Sequence, residues 1–456
     1  MTIDPTRVCA LMERERTRFS KEHPRSRELG EQAGGPLLSG VPMNWMTRWP
    51  GDFPIWVSEA EGARLIDVDG IEYTDFCLGD TGAMTGHAPA ATVAAIAREA
   101  ARGLTTMLPS EDGVAAGEQL RRRFGMPAWQ FTLSATDANR FVLRLAREVT
   151  GRPKVIVHNH CYHGSVDETV ATLSGDGTVG PRRGSVGPQV DPAVTTRVVE
   201  INDVEALERE LAHGDVAAVL VEPALTNIGI VLAEPGYHDA LRALTREHGA
   251  LLVIDETHTF CCGPGGYTAA YGLDPDAVTI GKPIAGGLPA GAYGLSAEFA
   301  QRVLDTTIWD AADVGGIGGT LAGNRLGLAA VRATLEDVLT DEAFAHMIGL
   351  AERFEAGVQQ VIAAHRLPWH VTRLGCRVEY MFAARPSRTG AEADAAFDAQ
   401  LDALLHLYAL NRGVLMTPFH MMALMSPATT AADVDRHTAV FAEAAGELAI
   451  SCAHDG

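Results

Sequence analysis

Residues 251–294 read LLVIDETHTFCCGPGGYTAAYGLDPDAVTIGKPIAGGLPAGAYG. Two short apolar runs in this stretch each end in an ionisable residue: ALLVID delivers Asp255, and AVTIG delivers Lys282. Working outward, KVIVHN, TRVVEI, AAVLVEP, ALLVIDE and AVTIGK are strand candidates spread between Cys77 and Leu335. Between them, 203–212, 236–248 and 322–335 carry apolar residues at three- and four-residue spacing with charges in between, the pattern of covering helices. This alternation predicts βα units and an α/β fold with a mostly parallel sheet.

On either side the pattern changes. A polar helix is expected over about 4–21, an irregular arm over 34–54, and strands over 54–57 and 63–68. After residue 336 the chain predicts a long helix (343–365), strands around 371–382, a helix over 392–411 and a last helix over 431–450. The expected organisation is an N-terminal segment 1–75 belonging to a small domain, a large domain 76–335, and a smaller α+β domain 336–456.

With 456 residues, 46% of them hydrophobic, the chain can bury a core of two or three structural units. Its 58 Asp+Glu against 37 Lys+Arg give a net charge of −21, which would repel nucleic acid and anionic membranes. Neither is an expected partner. Seven cysteines without CxxC spacing suggest neither a disulfide framework nor a zinc site. The charged N-terminus is unlike a signal peptide and no apolar run reaches the roughly 20 residues of a membrane span, so a cytoplasmic location is expected.

In open α/β sheets ligands collect beyond the carboxyl ends of the strands. Asp255 and Lys282 both stand there, 27 residues apart in sequence. A salt bridge capping the sheet would explain the pair. The Gly- and Pro-rich surroundings of Lys282 favour another reading, in which a planar ligand approaches the amine. A carboxylate such as Asp255 would keep a pyridine-type nitrogen protonated, so that its ring accepts electrons. Ser134, Ala135 and Thr136 precede an amphipathic helix, as a simple N-cap or as a site for phosphate. Tyr162, after the His158/His160/His163 group, offers a flat face to a ring or simply packs in its loop; a metal site is the less favoured reading of these histidines. Thr320, in GGIGGTLAGN, has a hydroxyl and an N–H for a phosphate, but the spacing fits no nucleotide motif. Glu222 and Asn227 follow the AAVLV run, where Pro223 sets a turn.

Taken together, YHG, EP, DET and GKPIAGGLPAGAYG, in this order, make the chain resemble the class III aminotransferases of fold type I, in the branch of glutamate-1-semialdehyde aminomutases and related transaminases. The resemblance runs from about residue 40 to beyond 426. It implies pyridoxal 5′-phosphate bound through Lys282, Asp255 on the pyridine nitrogen, and Thr257 and Tyr162 on opposite ring faces. It also implies phosphate contacts from Ser134, Ala135 and Thr136, completed by Thr320 of a second copy in a homodimer with shared active sites. Asn227 falls where the family has a ring-proximal polar residue.

The chain departs from this pattern at SATDA, where Ala135 replaces a glycine, and at DETHTFCCGPGG, which lacks an arginine common in the family. TPFHMMALMSP departs as well, with Met421, Met422 and Met425 either lining a pocket or lying in the core. Trp45, Arg48 and Met422 are the substrate candidates, Arg48 as a carboxylate clamp or as a solvated arm residue. The departures favour a small substrate with an apolar side chain over glutamate semialdehyde. The expected activity is ping-pong amino transfer from a small-molecule amino donor to an oxo-acid acceptor. An isomerase on the same scaffold (aminomutase or racemase) is the alternative, and a silent cofactor-binding protein comes third.

Overall fold

The computed structural model describes residues 3–187 and 190–449. The chain divides into two compact units: 1–88 with 345–386 and 396–456, and 89–344 with 387–395. The sequence reading draws its boundaries instead at 75/76 and 335/336.

The larger unit is built on a seven-stranded sheet in the order Ala128–Thr132, Gly291–Leu295, Ala277–Ile280, Leu251–Asp255, Val216–Val221, Lys154–His158, Thr196–Val199. Gly291–Leu295 is antiparallel to both its neighbours, and the other pairings are parallel. All five strand candidates lie in this sheet. The three strands from Val216, Leu251 and Ala277 are buried at every residue, which is why they read as continuous apolar runs rather than as alternation.

Ala128–Thr132 and Gly291–Leu295 were not among the strand candidates. The second is masked by its glycines. A Cβ on Gly291 would lie 2.4 Å from the Ser134 carbonyl, and one on Gly294 would lie 2.6 Å from the Trp129 ring. Here glycine inside a strand marks close approach of a neighbour rather than a break.

Covering helices form where a cap and an apolar stripe coincide. Asp203 caps Val204–Leu211 by accepting from Ala206 N at 2.9 Å, and Asn324 caps Arg325–Ala333 by accepting from Gly327 N at 2.9 Å. Tyr237–Glu247 fills the expected helix over 236–248.

The smaller unit holds a sheet of Val57–Glu61, Arg64–Asp67, Glu72–Asp75 and Val414–Leu415, and another of His370–Leu374, Arg377–Met381 and Met422–Leu424. The strand expected over 54–57 begins only at Val57 and runs to Glu61, since Pro54 has no N–H to give a ladder. Pro5–Glu22 is the expected first helix, and a second, Pro24–Ala33, follows it directly. Between them His23 is buried, with Nδ1 2.8 Å from the Phe19 carbonyl and Nε2 2.8 Å from the Tyr73 hydroxyl.

One expected helix, 392–411, is instead two: Gly390–Ala395 in the larger unit and Ala399–Leu410 in the smaller. Asp398 causes the restart, because its carboxylate accepts from Gln400 N and Leu401 N, both at 3.0 Å, and so competes with helix continuation. The last helix runs Ala431–Ala449; Ile450 and Cys452 lie outside the described residues. No described helix is long and apolar enough to cross a membrane.

Candidate active site

Asp255 is the last residue of its strand and is 3% exposed. Four donors converge on it. Thr257 gives its N–H (3.0 Å) and hydroxyl (2.6 Å) to Oδ1, while Asn139 Nδ2 (2.8 Å) and His163 Nδ1 (2.9 Å) meet Oδ2. Burial opposes ionisation. The hydrogen bond and charge of His163, with the bonds from Thr257 and Asn139, outweigh it and hold the carboxyl below its ordinary range. His163 shifts the other way: burial disfavours its charge, but Cys161 and Asp255 beside it raise the imidazolium above its usual value. The two form a buried ion pair.

Asn139 is itself fixed, taking the Thr279 hydroxyl at 2.6 Å and giving to the His163 carbonyl at 3.2 Å. Neither Asn139 nor the pairing of His163 with Asp255 was anticipated. A signal for Asn139 existed, since it falls on the buried face of the Ala135–Thr150 helix with Ala138, Val142 and Ala146. A polar residue in an otherwise apolar stripe needs a buried partner.

Lys282 follows the neighbouring strand, Ala277–Ile280, and is half-buried at φ +48°, a left-handed conformation that costs a lysine about 1–2 kcal/mol. Its Nζ stands 2.8 Å from His258 Nε2, a contact with no sequence signal. The chain has only three lysines. Lys21 is exposed on the first helix and Lys154 donates to the Ala193 carbonyl at 2.8 Å.

Ser134 caps the Ala135–Thr150 helix, its Oγ accepting from Asp137 N at 3.2 Å, which leaves the Ala135 and Thr136 N–H groups without intrahelical acceptors. The backbone around this helix start is tightly apposed. A Cβ on Gly281 would be 2.8 Å from Ala135 N, and one on Gly164, at φ +78°, 1.9 Å from Thr136 Oγ1. Thr136 Oγ1 also accepts from Ser165 N at 3.2 Å. The structure therefore brings the Ser134–Thr136 helix start against the residues beside Lys282 and Tyr162. With an ionised carboxylate at one strand end and an amine at the next, these residues fit pyridoxal phosphate.

Tyr162 is 40% exposed, its N–H held by Glu222 Oε1 at 3.0 Å; Glu222 also takes the Thr226 hydroxyl at 2.5 Å. Burial raises the Glu222 pKa. Asn227 is half-buried beyond this turn, and Thr320 lies exposed in the loop after Trp309–Ala311. The three histidines diverge: His158 meets the Tyr237 hydroxyl at 2.7 Å, where burial lowers its pKa to about 3, His163 meets Asp255, and His160 sits at φ +60°. In the smaller unit Arg48 lies over the Phe419 ring at 5.1 Å, and Trp45 meets the same ring edge-on at 5.9 Å. Met422 is fully buried in its strand.

A family model described as "Aminotransferase class-III" matches residues 45–444. The chain belongs to this family. A glutamate-1-semialdehyde 2,1-aminomutase of Chloroflexus aggregans is 35% identical over 422 residues, 88% of this chain and 92% of that one. A crystal structure of a glutamate-1-semialdehyde-aminomutase from Pseudomonas aeruginosa is 52% identical with a TM-score of 0.96, covering 98% of this chain and all of that one; a lysine-to-alanine variant of that enzyme has been crystallised in complex with PMP. An omega-transaminase from Sphaerobacter thermophilus aligns with a TM-score of 0.83 at 28% identity, covering 93% and 97%.

Membership in the class III family establishes a pyridoxal-phosphate-dependent enzyme of fold type I. The same comparisons overturn the expected ping-pong transferase with its donor and acceptor pair, because the relatives at 35% and 52% identity are named as aminomutases, which rearrange a single substrate. The preference for an apolar substrate over glutamate semialdehyde belonged to that reading and falls with it.

Proposed function

We propose that this chain is a pyridoxal-phosphate-dependent aminomutase that exchanges the amino and oxo groups on adjacent carbons of glutamate 1-semialdehyde. The observation that carries the reading is the Lys282–Asp255 pair at neighbouring strand ends, within a chain that is 52% identical over nearly its whole length to a crystallised aminomutase. The reaction gains and loses no atoms: nitrogen moves from carbon 2 to carbon 1, and the product is 5-amino-4-oxopentanoate.

When bound, the cofactor supplies an electron-accepting ring that stabilises negative charge at the carbon bearing nitrogen. Lys282 carries the cofactor at rest and moves protons during the exchange. Asp255, kept ionised by His163, Thr257 and Asn139, partners the ring nitrogen. Ser134, Ala135 and Thr136 take the phosphate, Thr257 and Tyr162 flank the ring, and Asn227 supplies a polar contact. Thr320, exposed in its loop, completes the phosphate site from a second copy. Arg48 pairs with the substrate carboxylate, with Trp45 as a further substrate contact; Met422, fully buried in its strand, is core and not a substrate contact.

The test is turnover of glutamate 1-semialdehyde by the purified full chain with no oxo acid present. Accumulation of 5-amino-4-oxopentanoate in proportion to substrate consumed, unchanged when pyruvate or 2-oxoglutarate is added, is expected. Turnover that starts only once an oxo acid is supplied would overturn the proposal.

A further inference from the structure

The His258–Lys282 contact joins two rigid pieces of backbone. His258 is 4% exposed and stands between two residues pinned by buried carboxylates: Thr257 on Asp255, and Thr259, whose hydroxyl donates to Glu256 Oε2 at 2.5 Å. Glu256 is held in turn by the N–H groups of Tyr267 (3.0 Å) and Thr268 (2.5 Å), and its carbonyl takes Phe260 N at 2.8 Å. The imidazole between them has little freedom to leave. On the other side, Lys282 is set by its left-handed backbone and by the contact of Gly281 with Ala135.

We infer that His258 is a positioning residue that holds the Lys282 amine through the hydrogen bond between Nε2 and Nζ, 2.8 Å apart. A lysine ammonium has three donors and no acceptor, so it requires a bare Nε2, with the imidazole proton on Nδ1. Two protons facing each other across 2.8 Å would set donor against donor and charge against charge. The pair therefore keeps one proton between its nitrogens, and the contact survives whichever nitrogen carries it. This suits an amine that must give up and regain a proton while staying in place. The inference rests on the role proposed above for Lys282.

Two polar variants separate this role from simple packing. In His258→Asn the amide is too short to reach Nζ, whereas His258→Gln can still accept from it. The first readout is acylation of the full-length chain freed of cofactor, with acetic anhydride at one fixed pH. Lys282 is followed by peptide mass spectrometry, with Lys21 and Lys154 as internal standards. Without the imidazole as acceptor, Lys282 should acylate about tenfold faster in His258→Asn, the worth of one hydrogen bond to a charged group, while His258→Gln stays within about twofold of the wild type.

The second readout is the reloaded enzyme. His258→Asn should lose roughly 10- to 100-fold in kcat, with KM changed by less than about twofold, because a misplaced amine impairs chemistry and not binding. Equal Lys282 labelling in the wild type and His258→Asn would overturn the inference, as would His258→Gln labelling as fast as His258→Asn. The labelling uses neither cofactor nor substrate, so its outcome is independent of whether the proposed isomerisation stands.

Discussion

Asp255→Asn probes the centre of the site. The carboxylate receives four hydrogen bonds, two on each oxygen. An amide can serve only one side, and its NH₂ must face either the N–H and hydroxyl of Thr257 or the donors of Asn139 and His163. The threonine hydroxyl can rotate away, so the amide settles with NH₂ toward Thr257, leaving one backbone N–H opposed and His163 without its counter-charge. Loss of a buried ion pair's partner costs about 3–5 kcal/mol, a large part of the ~5–15 kcal/mol that holds a typical domain.

The pH dependence has a sign. His163 is raised in the folded state to about 10, so its contribution is complete below the unfolded value of ~6.5 and is lost as pH rises through about 10. Asp255 is lowered, so its contribution is present above its unfolded value of ~3.9 and is lost as pH falls through the folded one. Urea unfolding of the cofactor-free full chain should therefore show the wild type ahead of Asp255→Asn by about 3–5 kcal/mol at pH 5–6, with the gap closing toward pH 10. A gap below about 1 kcal/mol, or one that does not change with pH, would refute the ion-pair reasoning.

Borohydride reduction of the loaded enzyme followed by peptide mapping should fix the cofactor on Lys282, and Lys282→Ala should abolish both the adduct and turnover; an adduct on Lys154 would displace the assignment. Gly164→Ala places a Cβ 1.9 Å from Thr136 Oγ1 at a left-handed position. Equilibrium dialysis should show cofactor affinity weakened by about tenfold or more, equivalent to ~1–2 kcal/mol of strain, and partly restored by adding Thr136→Ala. Tyr73→Phe removes the hydroxyl that donates to Asp67 Oδ2 at 2.7 Å and meets His23 Nε2 at 2.8 Å. Thermal unfolding should register a loss of about 1–3 kcal/mol, with turnover unchanged once the enzyme is folded.

The parallel strands were legible because they are buried on both faces, and burial of that kind writes uninterrupted apolar runs. Gly291–Leu295 was not, since its glycines answer to Ser134 and Trp129, residues more than 150 positions away. The same division holds in the site. Asp255 and Lys282 sit where apolar runs end, so their exceptional character shows locally. His258 shows only through the distance to Lys282, a product of how two strand ends are set side by side.

What sequence reading could not separate was transfer from isomerisation, and the reason is chemical. Both reactions ask the same lysine to move protons and the same carboxylate to hold a ring nitrogen; they differ only in whether the intermediate product leaves. The preference for an apolar substrate leaned in part on TPFHMMALMSP, and there the linear view misled. Met421, Met422 and Met425 are at most 2% exposed, and Met422 lies on a strand paired with Arg377–Met381, directly opposite Glu379. Glu379 in turn meets His420 Nδ1 at 2.8 Å, and Arg377, two residues before it on the same strand and opposite Leu424, is completely buried. The methionines are thus interior packing beside a charged layer, and their number in one segment carries no information about the polarity of a substrate.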